Sequence, residues 1–171
     1  SATKKTLNFY LTKLKDPQVK KLYEVFSKNL ASLDLSNKKV MIGVSGGPDS
    51  LSVLFFSQCY ALEHKVKLHP VIIDHKLRNE STEEAKNLKQ KLKKNFKINC
   101  KILSKNIIKI DNNIQSYARN LRYDLFLNEC NRNDINYLLL GHHKDDLIEN
   151  FFIRFLRGSG LKGLVSFDKK V

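Results

Sequence analysis

The densest chemistry in this 171-residue chain is a hexapeptide, Ser45-Gly46-Gly47-Pro48-Asp49-Ser50, set between a short apolar run and a helical one. Its paired glycines let backbone amides approach an anion closely, and a helix starting directly behind them adds partial positive charge. Ser45 and Ser50 bring hydroxyl donors, and Asp49 is placed to hold a magnesium-bound water. Together these features make a phosphate cradle. An ordinary strand-to-helix turn capped by Ser and Asp would explain both glycines, but not the whole hexapeptide in this setting.

Two other motifs compete for the same residues. A Walker loop needs Lys followed by Ser or Thr after its glycines, and no Lys stands there. Gly43-Val44-Ser45-Gly46-Gly47 does fit G-x-S-x-G, the nucleophile elbow of hydrolases. Asp74 or Asp111, followed by His142 or His143, would complete that triad in the required order. The pattern is short and the chain is small for that fold, so the phosphate reading leads.

Further polar clusters follow other apolar runs. Asp74-His75 ends one of them, where an adenine or ribose would lie in an α/β architecture, or where a plain polar strand end would serve. His142, His143, Asp145, Asp146 and Glu149 form the densest remaining group. Asp145 and Glu149 share a helical face, and H-H-x-D-D is not a usual zinc pattern. A carboxylate there, Asp146 foremost, suits magnesium or a substrate amine, and His142 stands just ahead of the helix. A helix cap and a solvated imidazole pair would be the structural alternatives.

The elements that must position these residues are legible in the periodicity. Asp16-Pro17 reads as an N-cap and first helical residue, followed by an apolar stripe at Val19, Leu22, Tyr23, Phe26, Leu30 and Leu33. Lys39–Val44 reads as a buried strand and Leu51–Leu62 as a helix. A second strand falls within Val66–Asp74, after Pro70. Ser81-Thr82-Glu83-Glu84 reads as a capping box for a helix lined by Ala85, Leu88, Leu92 and Phe96. Ile98–Leu103 is expected as a third strand. A helix over Ile114–Cys130 should turn Tyr117, Leu121, Leu125 and Phe126 inward. Tyr137–Leu140 should form a fourth strand and Asp145–Leu156 a final helix. The alternation predicts an α/β fold, a parallel sheet sandwiched by helices. In such sheets ligands sit beyond the carboxyl ends of strands, so the three polar clusters should meet at one edge.

On these residues the chain resembles the N-type ATP pyrophosphatases, marked by SGGxDS, and more narrowly the bacterial tRNA(Ile)-lysidine synthases. The matching segments are GVSGGPDSLSVL, IDHKLRNES, IQSYARNLRYDLF and LLLGHHKDDLIENFFIRFLRGSGLKGL, covering most of residues 40–165. The resemblance implies an adenine-nucleotide alpha hydrolase-like, Rossmann-like fold and a cytoplasmic ligase that uses ATP and Mg2+. Its partners would be a tRNA(Ile) with a CAU anticodon and free L-lysine. ATP would adenylate the wobble cytosine at O2, releasing pyrophosphate, and the lysine side-chain amine would then displace AMP at C2. Ser45, Gly46, Gly47, Pro48, Asp49 and Ser50 would hold the nucleotide together with Asp74 and His75. Arg119 and Arg122, three apart on one helical face, would neutralise the α-phosphate, and His142 and Asp146 would act at the reacting groups. Asp49 and Asp146 are the expected metal ligands. Arg157-Gly158-Ser159-Gly160 would order over substrate or merely cap a helix.

Other adenylating relatives, in tRNA thiolation or amidotransfer, remain as alternatives, as does a basic RNA-binding module with an inactive nucleotide site. Sulfur-transferring relatives often carry C-x-x-C. Cys59, Cys100 and Cys130 are scattered and odd in number, which suits reduced, buried thiols. The net charge of +14 would attract a polyanion, but a composition rich in Asn, Ile and Lys yields the same excess, and Lys86–Lys101 reads equally as a solvated helix face. No apolar run approaches the ~18 residues of a membrane span, and the first fifteen residues carry no secretory signal. The whole chain is expected to be a single domain with an N-terminal helical extension over residues 1–37. Members of the resembled family continue past the RGSG segment into tRNA-gripping domains. The chain is therefore expected to be a fragment or shortened product that keeps the nucleotide pocket. Its oligomeric state is open, a dimer of the full-length protein included.

Overall fold

Apolar β-rich runs in this sequence are short, and each is followed by a stretch able to form a crossover helix. A computed structural model of the protein describes residues 2–78, 80–105 and 114–141. The chain divides after Gly141 into two units, and the described residues all belong to the first. Helices α1 (Ala2–Lys13) and α2 (Pro17–Ala31) lead into strand β1 (Lys39–Val44) and helix α3 (Pro48–His64). Then come β2 (Lys67–Asp74), α4 (Ser81–Lys91) with a π-helical turn at Leu92–Phe96, β3 (Lys101–Ser104), α5 (Ile114–Asn133) and β4 (Tyr137–Leu140).

The four strands are parallel in the order β3-β2-β1-β4, with β1 pairing both β2 and β4. Successive residues of β1 face opposite sides. Val40, Ile42 and Val44 join the cluster containing Tyr10, Tyr23, Leu54, Tyr60 and Ala85, while Met41 joins Val71, Phe126 and Cys130. Helices α1–α4 therefore cover one face and α5 the other. This is the sandwiched parallel sheet that the alternation of elements predicts, buried on both sides and hence continuously apolar in β1.

Several expectations hold in detail. Asp16 Oδ1 accepts the amides of Gln18 and Val19 at 2.9 and 3.2 Å, capping α2 as read. Leu121 and Phe126 are buried on α5. Others need correction. The apolar stripe of α2 is only partly covered: Tyr23 and Leu30 are buried, but Leu22 is 61% exposed and Leu33 is exposed too. Strand β2 includes Pro70 rather than starting after it; pairing with β3 begins at Val71, beyond the residue that lacks an amide proton. Strand β3 starts at Lys101, because Ile98 is held by a bond from its amide to the Leu92 carbonyl and packs in the core from the connecting segment.

The capping box at Ser81–Glu84 does not form. Helix α4 begins at Ser81 itself and its N-cap, Glu80, makes no side-chain cap. Ser81 Oγ instead donates to Asp74 Oδ1 at 2.8 Å, and Glu84 accepts from Arg78 at 3.0 Å. Ser81 stands one residue inside the helix rather than at the cap, and its hydroxyl donates to the buried carboxylate.

A phosphate-sized loop at the sheet's switch point

Strand β1 is central, and the chain moves from it to β2 and β3 on one side, then to β4 on the other. The crevice between β1 and β4 is thus the topological switch point, where ligands of open α/β sheets bind. The Ser45–Gly47 loop emerges there. Gly46 has φ +88°, which L side chains rarely adopt, and a Cβ on it would also press on Leu88 Cδ2 at 3.2 Å. Gly47 differs: its backbone is extended (φ −72°, ψ 160°), and a Cβ there would meet only Ser45 Oγ, at 3.7 Å. Protein packing does not demand glycine at that position.

Gly47 is the N-cap of α3 and supplies no side-chain acceptor, while Pro48 occupies the first turn without an amide proton. The amides of the first turn lack intrahelical partners in any helix, and the positive end of α3 lies at this loop. Within the loop the Ser45 amide and hydroxyl lie 3.2 and 3.1 Å from Ser50 Oγ, and Ser50 Oγ donates to the Gly47 carbonyl at 3.0 Å. Buried Ser50 therefore acts as the brace that holds the turn, while Ser45 is exposed and Gly46, Gly47 and Asp49 are half-buried.

Gly141, the residue after β4, completes the wall. A Cβ on it would fall 2.5 Å from the Ser50 amide nitrogen and 2.7 Å from the Asp49 carbonyl carbon. Backbone meets backbone at the switch point, and only glycine permits it. Gly141 has no role in the sequence reading; a glycine directly after a buried strand is the signal that was available.

Asp74 and His75 end β2 beside the loop, since Val44 is level with Ile72 in the register. Asp74 is 2% exposed. Its Oδ1 accepts the Ser81 hydroxyl at 2.8 Å and the Lys76 amide at 3.0 Å, and its Oδ2 accepts the Thr82 hydroxyl at 2.7 Å. Burial works to raise its carboxyl, but these donors and the Lys76 charge outweigh it and hold it below the usual value. His75 Nδ1 is buried without a hydrogen-bond partner. Burial, then the Arg122 charge, lower this imidazole against the opposing pull of Asp74, keeping it neutral near pH 7. Arg122 is itself half-buried; burial lowers it, Tyr123 opposes that, and nearby Arg119 adds to it. Arg119 lies over the Tyr123 ring at 5.9 Å.

The described structure thus brings together Ser45–Ser50, Asp74, His75, Arg122 and Gly141. Asp111, His142, His143, Asp145, Asp146, Glu149, the helix expected over Asp145–Leu156 and the segment Arg157–Gly160 lie outside the described residues. Among the described residues no cluster of three or more His, Cys, Asp or Glu side chains is arranged around a metal position. Asp49, in the first turn of α3, suits a magnesium ion shared with phosphate oxygens, which needs only one or two carboxylates.

A parallel sheet with a glycine-turn anion loop at its switch point defines a nucleotide-binding α/β protein. The chain belongs to the PP-loop domain family, which matches residues 15–171. It is similar to the tRNA(Ile)-lysidine synthase of Orientia tsutsugamushi, 44% identical over 76% of this chain and 29% of that protein. The tRNA(Ile)-lysidine synthase of Rickettsia typhi is 37% identical over 85% of this chain and 34% of its own length. The chain spans about a third of the length of these relatives. Its fold is also that of a solved U34-tRNA thiolase, NcsA, from Methanococcus maripaludis, with a TM-score of 0.68 and 21% identity over 88% of this chain and 55% of that one.

Proposed function

We propose that this chain is the ATP-binding part, one domain over residues 1–171 with a helical extension at 1–37, of a cytoplasmic ligase that joins lysine to the wobble cytidine of a tRNA(Ile) with a CAU anticodon. The observation that carries the reading is the loop itself: a left-handed turn at Gly46 followed by a second glycine whose Cβ position is open, at the switch point of a PP-loop domain similar to lysidine synthases. ATP is the substrate whose β- and γ-phosphates the Gly46–Ser50 backbone would cradle as they depart. The cytosine O2 attacks the α-phosphorus, pyrophosphate leaves, and the lysine ε-amine then attacks C2 and expels AMP. Charge grows on phosphate oxygens in the first step, so preorganised amides and cations stabilise its transition state most.

Arg119 and Arg122 would face the α-phosphate, and Asp49, with Asp146, would hold magnesium, which supplies charge neutralisation when bound. His142 would stand at the reacting groups. Asp74 holds α4 against the loop through Ser81 and Thr82, and with neutral His75, whose Nδ1 has no partner, it would stand beside the nucleoside. The described cysteines are unsuited to sulfur chemistry: burial foremost pushes Cys59 up to about 12 and Cys100 to about 11, and raises Cys130 as well.

The test is pyrophosphate release from ATP by the full-length enzyme, with an isoleucine tRNA bearing CAU, in lysine or in ammonia. Lysine-dependent turnover is expected; turnover with ammonia or a sulfur donor alone would remove the lysine assignment. Gly47→Ala should leave the melting temperature unchanged, because its Cβ meets only Ser45 Oγ at 3.7 Å. Its ATP affinity should drop about tenfold, roughly one displaced hydrogen bond, as read by titration calorimetry.

A further inference from the structure

Between Glu84 and Asp111 the sequence holds nine lysines and no acid. On α4 and the π turn the inward positions are taken by Ala85 and Leu92, with Leu88 half-buried. Lys86, Lys91, Lys93, Lys94 and Lys97 are all exposed. None of the ion pairs among the described residues involves these five. By contrast Lys101 is drawn to buried Glu129 at 2.7 Å, and Lys20 on α2 has Glu24 at 4.0 Å. Lys97 also donates to the Lys94 carbonyl at 3.0 Å, closing the π turn with its stem.

This row is not placed at random relative to the loop. Leu88 of the same helix lies against Gly46, and Asp74 grips Ser81 and Thr82 at the helix start. One helix therefore starts beside the loop and carries its unpaired lysines away from it, toward the edge where β3 begins. We infer that the outer face of α4 and its π turn is an RNA-backbone track that leads a substrate strand to the loop. The inference rests on the reading of the loop as the nucleotide site of an RNA-modifying enzyme.

The chemistry favours RNA over other polyanions. Eleven residues of helix extend about 16 Å, enough to face several consecutive phosphates. Lysines contact phosphates and carry no sequence information, and the amides of Asn87, Gln90 and Asn95 stand exposed among them. A membrane-lying helix needs an exposed apolar face, and the exposed large apolar side chains, Leu11, Leu22, Val25, Leu33, Leu77 and Leu127, all lie outside residues 81–105. Protein interfaces are depleted in lysine at their cores.

The experiment compares two triple variants of the 171-residue chain with equal charge change. One carries Lys91→Glu, Lys93→Glu and Lys94→Glu; the other carries Lys20→Glu, Lys21→Glu and Lys28→Glu on α2. Affinity for a tRNA transcript is read by filter binding across a salt series, with ATP affinity measured in parallel. The first triple should weaken tRNA binding about 100-fold at ~0.1 M salt and flatten the log–log salt slope by about two. The α2 triple should change it less than threefold, and neither should alter ATP affinity. A Lys→Gln version of the first triple, losing about tenfold, covers any folding defect caused by the new acids. Equal losses from both triples would mean net charge alone attracts RNA and would overturn the track. So would an unchanged affinity in the first triple, or binding through these lysines to anionic phosphatidylserine vesicles but not to tRNA. Failure of the wild-type chain to bind ATP counts against the nucleotide site, not against the track, which stands or falls on the RNA arm.

Discussion

Asp74 shows how a single side chain's partners redefine its role. Read from sequence it is a polar strand end near a nucleoside; in the fold its carboxylate already accepts two hydroxyls and an amide while almost fully buried. Asp74→Ala would strand Ser81 and Thr82 and release the start of α4. The expected cost is about 2–3 kcal/mol, from three orphaned donors of which part can turn to water, read as a fall in the denaturant midpoint. Asp74→Asn should recover only part, since an amide cannot accept all three. Glu129 on α5 is the second such residue, 1% exposed and bonded to Lys101, His69 and Asn133. It staples the C-terminal part of α5 to the amino ends of β2 and β3, the edge opposite the loop. Neither partnership is marked by spacing, because the side chains that bring other elements in are distant: Ser81 and Thr82 lie 7 and 8 residues from Asp74, and Lys101 and His69 lie 28 and 60 from Glu129.

At the scale of elements, the site depends on two glycines doing different work. Gly46 bends the chain after β1, while Gly141 lets the end of β4 touch the first turn of α3. Gly141→Ala would force a methyl group 2.5 Å from the Ser50 nitrogen, a backbone contact that no rotamer can relieve. Overpacking of this kind costs about 1–3 kcal/mol. The strain would appear at the loop, so ATP affinity should fall along with the melting temperature. Gly47→Ala, by contrast, should spare the melting temperature, which makes the pair diagnostic. The four strands and helices α2 to α5 were legible, as was the Asp16 cap, although α3 starts at Pro48, inside the hexapeptide. The capping box was misread because the motif names a local partner and cannot see a buried carboxylate arriving from the neighbouring strand.

For the whole molecule, the described charges predict an acid response in two stages. His75 has its folded pKa below the unfolded value of about 6.5, so protonation favours the unfolded chain. The stability it contributes is complete above that value and is lost as pH falls. Asp74 and Glu129 are also lowered, in each case because donors outweigh the opposing effect of burial; their contribution is complete above about pH 4.5 and fades below it. Melting temperature should therefore decline first below about pH 6.5 and more steeply below pH 4.5. His75→Gln should abolish the first stage and leave the second. A single late transition in the parent chain would contradict the buried, neutral state of His75.

Periodicity and turn chemistry were enough to establish an α/β sandwich with a glycine turn between its first strand and the helix that follows, since both depend on neighbours within a few residues. Strand order was not legible, nor was the backbone contact at Gly141, the grip of Asp74 on the start of α4 or the buried Glu129 staple. Each of these is a pairing between distant segments, decided only when the sheet brings their ends to a common edge and removes water from between them.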